Sequence, residues 1–343
     1  MTRGVKDNRP TVVSTFAGCG GSSLGYKLAG FRELAAVEWW GVACDTLRRN
    51  FPGVAVLEGD VREKLEDVRD LLGGRELDVL DGSPPCQGFS VGNTRARRKN
   101  AGSEGNDPRN DLVFEFIRWV RELRPKTFVM ENVRGMRIGP MLVKFNQILR
   151  AMYELDYDVQ VRELELKRLG VPQRRTRIIF VGVRRDIGKR YEYPKPIMQE
   201  PDYARMLDDL VVDSREEEFL MRAESRAVRE IWTGKFSPNN AFFSFYKVRP
   251  GFACPTLTAS AGCFGLAAGA FHHKQPRRMA VSEMKLASTI PEWFKFEGED
   301  YYLRDSKTGK KLYAEIAKQI GNCVPPLGTK LVAENLLKVL PLG

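Results

Sequence analysis

The sequence predicts an α/β protein built on a doubly wound, mainly parallel sheet, with a smaller and more irregular second domain. Three observations predict it. Across residues 11–183, short apolar runs alternate with stretches of helical periodicity, the pattern of strands joined by crossover helices. A glycine-rich turn, Gly18-Cys19-Gly20-Gly21, follows the first apolar run and opens the first helix. Beyond residue 184 the alternation stops, and charged, proline and aromatic residues replace it.

The elements follow in order. Thr11–Phe16 is apolar enough for a buried strand, and Ser22–Ala29 has helical spacing behind the glycines. Leu34–Val37, Val54–Leu57 and Leu77–Leu80 are the next three strands. Asp111 stands where a side chain caps a helix, and Leu112, Val113, Phe116, Ile117 and Val120 follow at helical spacing. Thr127–Met130 is the fifth strand and Met141–Met152 a helix. Tyr157, Val159 and Val161 alternate as a sixth strand, and Ile178–Val183 is a seventh. Residues 185–215 carry Pro194, Pro196 and Pro201, Glu216–Thr233 reads as helix, and an irregular aromatic and glycine-rich region runs to Phe271. Residues 312–340 return to helical patterning and are expected to dock back on the sheet. The expected division is 1–184, 185–275 and 276–343.

Composition narrows the function classes. A chain of 343 residues can bury a sizeable core, and its 43% hydrophobic content suits a globular protein. No apolar run reaches the length of a membrane span, and the polar start has no signal-peptide core. The six cysteines form no C-x-x-C pair and the two histidines, His272 and His273, are adjacent, which argues against structural zinc and a disulfide framework. A reducing, cytoplasmic setting is expected. The net charge of +11 points to a polyanionic partner, most simply nucleic acid.

Cys86 is the most informative single residue. Pro84 and Pro85 stop strand pairing after Leu80 and place the thiol at the carboxyl edge of the sheet, where open α/β folds put their chemistry. A thiolate there is suited to adding to an electron-poor ring carbon. In the glycine loop, Ser23 stands where a dinucleotide fingerprint has its third glycine. Glu38 ends the second strand at a spacing suited to a ribose diol, Asp60 ends the third where a carboxylate can accept from an adenine amino group, and Trp39 offers a flat face to a purine. This set suits a nucleoside as well as NAD.

Together these segments resemble the cytosine-5 DNA methyltransferases of prokaryotic and phage restriction–modification systems, over nearly the whole chain. Phe16-Ala17-Gly18-Cys19-Gly20-Gly21 resembles the family's S-adenosylmethionine loop, and Pro84-Pro85-Cys86-Gln87-Gly88-Phe89-Ser90 its nucleophile motif. Glu131-Asn132-Val133 resembles its acidic motif, and Gln173-Arg174-Arg175-Thr176-Arg177 its Gln-x-Arg-x-Arg motif. Arg277-Arg278 with Glu283 resembles the ninth motif, and Gly321-Asn322-Cys323-Val324-Pro325-Pro326 the tenth. Two departures stand in the ninth motif: Ile290-Pro291 replaces Phe-Pro, and the helix entry Met279-Ala280-Val281 lacks the usual Thr or Ser. Both concern packing rather than chemistry.

The resemblance implies a Rossmann-like methyltransferase fold with a target-recognition domain at 185–275, whose reading of DNA sequence is not legible here. It implies a cofactor site of Phe16, Gly18, Gly20, Gly21, Glu38, Trp39, Asp60, Pro85, Asn322 and Val324 for S-adenosylmethionine, converted to S-adenosylhomocysteine, with no metal. It implies that Cys86 adds to carbon 6 of a flipped-out cytosine, that Glu131 serves ring nitrogen 3 and the exocyclic amino group, and that Arg177 holds the exocyclic oxygen. Arg175 is expected beside them, adding positive charge and bracing the catalytic loop or a carboxylate. Residues 88–106 are expected to close as a lid. Gln87, Ser90, Arg95, Arg97, Arg98 and Lys99 are the expected DNA contacts, joined by Thr256 and Thr258 in Thr256–Gly262 and, as further candidates, Lys235, Lys247, Arg249 and Lys274. The expected partner is double-stranded DNA, bound by a monomer, with a separately acting restriction endonuclease as a possible companion.

Three rivals are weighed. Transfer-RNA methyltransferases of the same architecture carry a Cys-Phe-Thr tripeptide in the second domain that this chain lacks. A catalytically silent DNA-binding homologue would have lost Cys86, Glu131 or the glycines, all of which are intact. An NAD-dependent oxidoreductase is opposed by Ser23 and the Pro-Cys loop.

Overall fold

The computed structural model describes residues 7–85, 111–139, 141–214, 246–259, 270–277, 279–298 and 315–341. Cys86, Gln87, Ser90, Arg95, Arg97, Arg98, Lys99, the expected lid at 88–106, the helix expected over Glu216–Thr233, Lys235 and Arg278 all lie outside them.

Seven strands form one sheet: β1 (Thr11–Thr15), β2 (Arg32–Glu38), β3 (Ala55–Glu58), β4 (Val79–Gly82), β5 (Thr127–Val133), β6 (Tyr157–Glu165) and β7 (Thr176–Arg184). Their spatial order is β3-β2-β1-β4-β5-β7-β6. The pairs among β1 to β5 are parallel, and β7 lies antiparallel between β5 and β6. The sheet is therefore mainly parallel and doubly wound, with its order reversing between β1 and β4. Open sheets of this kind bind ligands beyond the strand ends at such a reversal.

Nine helices accompany it among the described residues: α1 (Gly21–Leu28), α2 (Gly41–Asn50), α3 (Leu65–Leu72), α4 (Leu112–Leu123), α5 (Met141–Tyr153), α6 (Tyr203–Asp208), α7 (Val281–Ala287), α8 (Glu315–Asn322) and α9 (Pro326–Leu336). Strand side chains alternate between two buried faces. Val13, Leu80, Phe128 and Phe180 pack with Val68 of α3, Phe116 of α4 and Phe145 of α5. Val12, Val79, Val129 and Val181 point the other way, to Tyr26 of α1 and Val332 and Leu336 of α9. The C-terminal segment thus docks back on the sheet. It comes close at Gly25, where a β-carbon would stand 2.5 Å from Thr329 Cβ.

α4 buries Val113, Phe116, Ile117, Trp119 and Val120, as its spacing predicts. The cap expected from Asp111 is not made. Asp111 has helical φ and ψ, which turns its side chain away from the helix amides, and its carboxylate instead lies 3.0 Å from Lys144 Nζ on α5.

Between β7 and α7 regular structure is sparse: the described residues there hold a 3-10 turn at Arg185–Ile187, α6 and a two-stranded parallel pair, β8 (Tyr246–Lys247) with β9 (Ala270–Phe271). Residues 254–257 are zipped to the segment before β7. Arg174 N donates to the Cys254 carbonyl at 2.8 Å, Cys254 N to Pro172 at 2.9 Å, and Leu257 N to Gln173 Oε1 at 3.2 Å. Gln173 Nε2 also reaches Ser288 Oγ at 3.2 Å. A buried bidentate pair, Arg277 with Glu283 at 2.8 Å on both arms, anchors α7. Glu283 also accepts the Ala280 N–H at 2.7 Å, capping a helix entry that has no hydroxyl residue.

Candidate active site

Four carboxyl-edge segments converge at the reversal point. The first is the glycine loop between β1 and α1. Phe16 and Gly18 have positive φ, at 54° and 56°. Gly20 also has positive φ, and its β-carbon would lie 2.6 Å from the Phe51 ring. At Gly21 it would lie 2.2 Å from Cys323 Sγ and 2.3 Å from the Val324 carbonyl oxygen. Glycine at 20 and 21 thus lets the loop close on α2 and on the α8–α9 junction. At Gly18 the space is open for 4 Å, so this loop presents bare backbone outward.

Glu38 fixes the loop. Oε2 accepts from Gly18 N at 2.7 Å, and Oε1 accepts from Trp39 N at 3.0 Å and Trp40 N at 2.9 Å. Burial pushes its carboxyl above the usual range, against these amide bonds. Trp39 is 74% exposed, which leaves a large flat face unused by the core. Trp40 is half-buried and carries Lys318 Nζ 4.1 Å above its ring. Asp60, just after β3, accepts from Arg62 N at 2.9 Å and Arg62 Nη1 at 3.1 Å. Asn322 is exposed at the end of α8, beside the Val324 carbonyl that meets Gly21.

The second segment is Pro84-Pro85, entering Cys86. Asn132 Nδ2 donates to the Pro84 carbonyl at 3.3 Å, while its Oδ1 accepts from Val133 N at 2.8 Å. Asn132 thereby ties β5 to the approach to the thiol. Within the acidic motif this asparagine's task was not legible in the sequence, since it depends on β4 and β5 being neighbours.

The third and fourth segments are the ends of β5 and β7. Glu131 pairs with Ile179 and Val133 with Arg177 in the antiparallel register. Glu131 and Arg177 are therefore diagonal neighbours on one face. Arg177 Nε lies 2.5 Å from Glu131 Oε1, an ion-pair contact whose N–H is not aligned for a hydrogen bond. Both side chains are only about one-eighth exposed, at 12% and 13%. Arg177 Nη1 also donates to the Thr176 carbonyl at 2.8 Å.

Arg175 lies just before β7. It is buried, and its Nη1 donates to the carbonyls of Leu257 at 3.3 Å and Gly321 at 3.1 Å. Side chains alternate along a strand, so Arg175 and Arg177 share a parity, but Arg175 precedes β7 in a loop that the 254–257 segment covers. It joins three segments through the backbone oxygens of Leu257 and Gly321. Thr256 Oγ1 donates to the Arg174 carbonyl at 2.5 Å, and the Thr258 backbone packs on Gly321, where a β-carbon would stand 2.2 Å from it.

The profile of the C-5 cytosine-specific DNA methylases matches residues 11–338. The chain is similar to the Type II methyltransferase M1.HphI of Haemophilus parahaemolyticus, at 31% identity over 96% of this chain and 87% of that protein. It is similar to the Type II methyltransferase M.AquIA of a Picosynechococcus species, at 36% identity over 57% of this chain and 80% of that one. Among solved structures, a prophage-encoded E. coli protein described as a DNA modification methyltransferase superposes with a TM-score of 0.71 at 23% identity, covering 96% of this chain and 99% of that one, a likeness of fold. A family profile matched over almost the whole chain, on a sheet of this order, makes this protein a member of the C-5 cytosine-specific DNA methylases, S-adenosylmethionine-dependent enzymes that methylate cytosine in DNA.

Proposed function

We propose that the enzyme acts on a specific duplex DNA sequence, extruding one cytosine and methylating its carbon 5 through a covalent Cys86 adduct. The observation that carries this reading is the Glu131–Arg177 pair, a carboxylate and a guanidinium 2.5 Å apart at the strand ends next to Pro84 and Pro85.

Carbon 5 of cytosine is a weak nucleophile. Addition of the Cys86 thiolate to carbon 6 turns the ring into an enamine, whose carbon 5 can attack a methyl group. Glu131 shares a proton with ring nitrogen 3, relieving the charge left by that addition, and accepts from the exocyclic amino group. The same contact discriminates against thymine, which has a carbonyl there. Arg177 donates to the exocyclic oxygen and keeps Glu131 paired until the base arrives. Loss of the carbon 5 proton to water or hydroxide, with departure of Cys86 from carbon 6, restores the ring.

The glycine loop, with its open face at Gly18, the exposed Trp39 and the carboxylates of Glu38 and Asp60, has the donor and acceptor set of a nucleoside cradle. Phe16, Gly20, Gly21, Pro85, Asn322 and Val324 complete it. S-adenosylmethionine, when bound there, supplies an electrophilic methyl group. Glu38 Oε2 accepts one amide and has a lone pair left for a ribose hydroxyl. Trp39 stacks on the adenine.

Residues 1–184 carry the chemistry, 185–275 read the DNA, and 276–343 return to the catalytic domain. Gln87, Ser90, Arg95, Arg97, Arg98 and Lys99 contact DNA, as do Thr256 and Thr258, and residues 88–106 close as a lid. The enzyme works as a monomer in the cytoplasm, beside a separately acting endonuclease. No helix among the described residues is long and apolar enough to cross a membrane.

Two measurements test this. Expression in a host without cytosine methylation, followed by bisulfite sequencing, should leave cytosines protected in one short context; a fully converted genome from folded protein overturns the reading. Cys86→Ser should lose transfer and keep DNA binding, and full activity in that variant overturns the covalent route.

A further inference from the structure

Asp81 stands in β4, a strand whose other members are buried and apolar, and is itself 5% exposed. A carboxyl group in that position is expensive unless its neighbours satisfy it. Those neighbours lie on both sides of the glycine loop. Before the loop, Thr15 Oγ1 donates to the Asp81 backbone carbonyl at 3.1 Å. After the loop, the Asp81 carboxyl is hydrogen-bonded to Ser22 in the first turn of α1 and to Tyr26 Oη at 3.1 Å, one turn further on. Asp81 itself sits on the strand that runs to Pro84, Pro85 and Cys86. The Asp81 backbone thus meets the residue before loop 16–20, and its carboxyl meets the helix after it.

The layer between α1 and the sheet is buried and acidic. Glu33 of β2 is 9% exposed and accepts from Ser23 Oγ at 2.9 Å. Its second oxygen and the hydroxyl of Ser14 are both buried without an aligned partner. Burial raises the Glu33 carboxyl, against the hydroxyls of Ser14 and Ser23, which favour its ionised form. The titratable groups that bear most on Asp81 are Tyr26 on α1, Glu33 on β2 and Glu131 on β5, all acids. Tyr191, which bears on Tyr26, is also an acid and donates to the Val332 carbonyl of α9 at 3.1 Å.

We propose that Asp81 is a positioning residue for methyl transfer: its buried hydrogen bonds to α1 fix the glycine-rich cofactor loop relative to the strand that leads to Pro84 and Pro85. This rests on the reading of Cys86 and of the loop given above. Burial is the main cause that keeps the proton on, pushing the Asp81 carboxyl up to about 7. Ionisation places a charge between Glu33 and Glu131 in a buried layer, which draws in water and loosens the junction of α1 with β4. Displacements of about 1 Å between reacting groups cost on the order of a hundredfold in rate, so a loosened junction appears in kcat.

The test uses the full chain, labelled S-adenosylmethionine and genomic DNA free of cytosine methylation. Asp81→Leu keeps the volume and removes the bonds to Ser22 and Tyr26; kcat should fall about tenfold or more, beyond any rise in KM for S-adenosylmethionine. Asp81→Asn keeps the acceptor and cannot ionise, so its rate relative to wild type should rise from pH 6 to pH 8. Tyr26→Phe should lower kcat in wild type and have little effect in Asp81→Leu. Wild-type kcat and KM in Asp81→Leu, or a flat Asp81→Asn ratio across that range, overturns the proposal. Should Asp81→Leu fail to fold, the Asp81→Asn ratio and Tyr26→Phe decide it. Full activity in Cys86→Ser would instead sink the catalytic reading, whatever the Asp81 variants do.

Discussion

Arg177 reaches Glu131 because β7 runs against β5: the first residues of one strand lie beside the last of the other, and Arg177 Nε comes within 2.5 Å of Glu131 Oε1. A parallel β7 would have delivered Arg177 to the opposite edge of the sheet. The pair also leaves each partner polar capacity for a base, because the contact is not an aligned hydrogen bond. Glu131→Gln keeps shape and loses the proton exchange. Its methyl-transfer rate should fall by about 10²–10⁴, with DNA and cofactor affinities within a few fold. Single-turnover rates against DNA binding would show this, and an unchanged rate would remove Glu131 from the chemistry.

Trp39 is too exposed to contribute much to folding. Trp39→Ala should weaken S-adenosylmethionine binding by about tenfold through lost stacking, with little change in melting temperature. Calorimetric titration beside a thermal melt separates the two effects.

Gly21→Ala would drive a methyl group into Cys323 Sγ and the Val324 carbonyl, at 2.2 and 2.3 Å. The carbonyl belongs to backbone and cannot swing aside. Overpacking of this kind costs about 1–3 kcal/mol, and here it also pushes the α8–α9 junction off the cofactor loop. The variant should melt lower and bind S-adenosylmethionine poorly.

Glu33 and Asp81 give stability a pH dependence of definite sign. Burial pushes both carboxyls up to about 7. Between about pH 4 and 7 the folded protein therefore keeps protons that the unfolded chain has released. Their contribution is full below the ordinary carboxylate range and is lost as pH rises through 7. In Glu33→Gln that loss should shrink, so urea midpoints measured from pH 5 to 8 should fall less steeply than in wild type.

The Arg277–Glu283 pair is buried on both sides, at 2% and 1% side-chain exposure. Arg277→Ala leaves the Glu283 carboxylate without its bidentate partner, beside a His272 that burial holds neutral, with its pKa lowered to about 4. The cost should be about 3–5 kcal/mol in urea denaturation.

Strand existence and order of appearance were legible because a strand buried on both faces must be continuously apolar and a crossover helix must have one apolar stripe. The observed strands lie within about two residues of the predicted ones, except that β5 extends further, to Val133, and β6 to Glu165. The glycine loop was legible for a similar reason, since few side chains tolerate its positive φ values. Asp111 was misread as a cap because capping depends on the φ and ψ of one residue, and Lys144, 33 positions away, competes for its carboxylate.

What lay beyond the sequence was every relationship set by distance in space rather than along the chain. That Arg175 was expected to brace a loop or a carboxylate did not reveal that it reaches the carbonyls of Leu257 and Gly321. Asp81 within an apolar strand was a signal available in the sequence, but its meaning waited on Tyr26 and Thr15. The sequence by itself determined which residue types stand ready: a thiol after two prolines, a carboxylate, a guanidinium, a bare-backbone loop. The tertiary structure alone decided which of them meet, because strand direction and helix packing set side-chain distances to within ångströms, and hydrogen bonds and ion pairs form only at those distances.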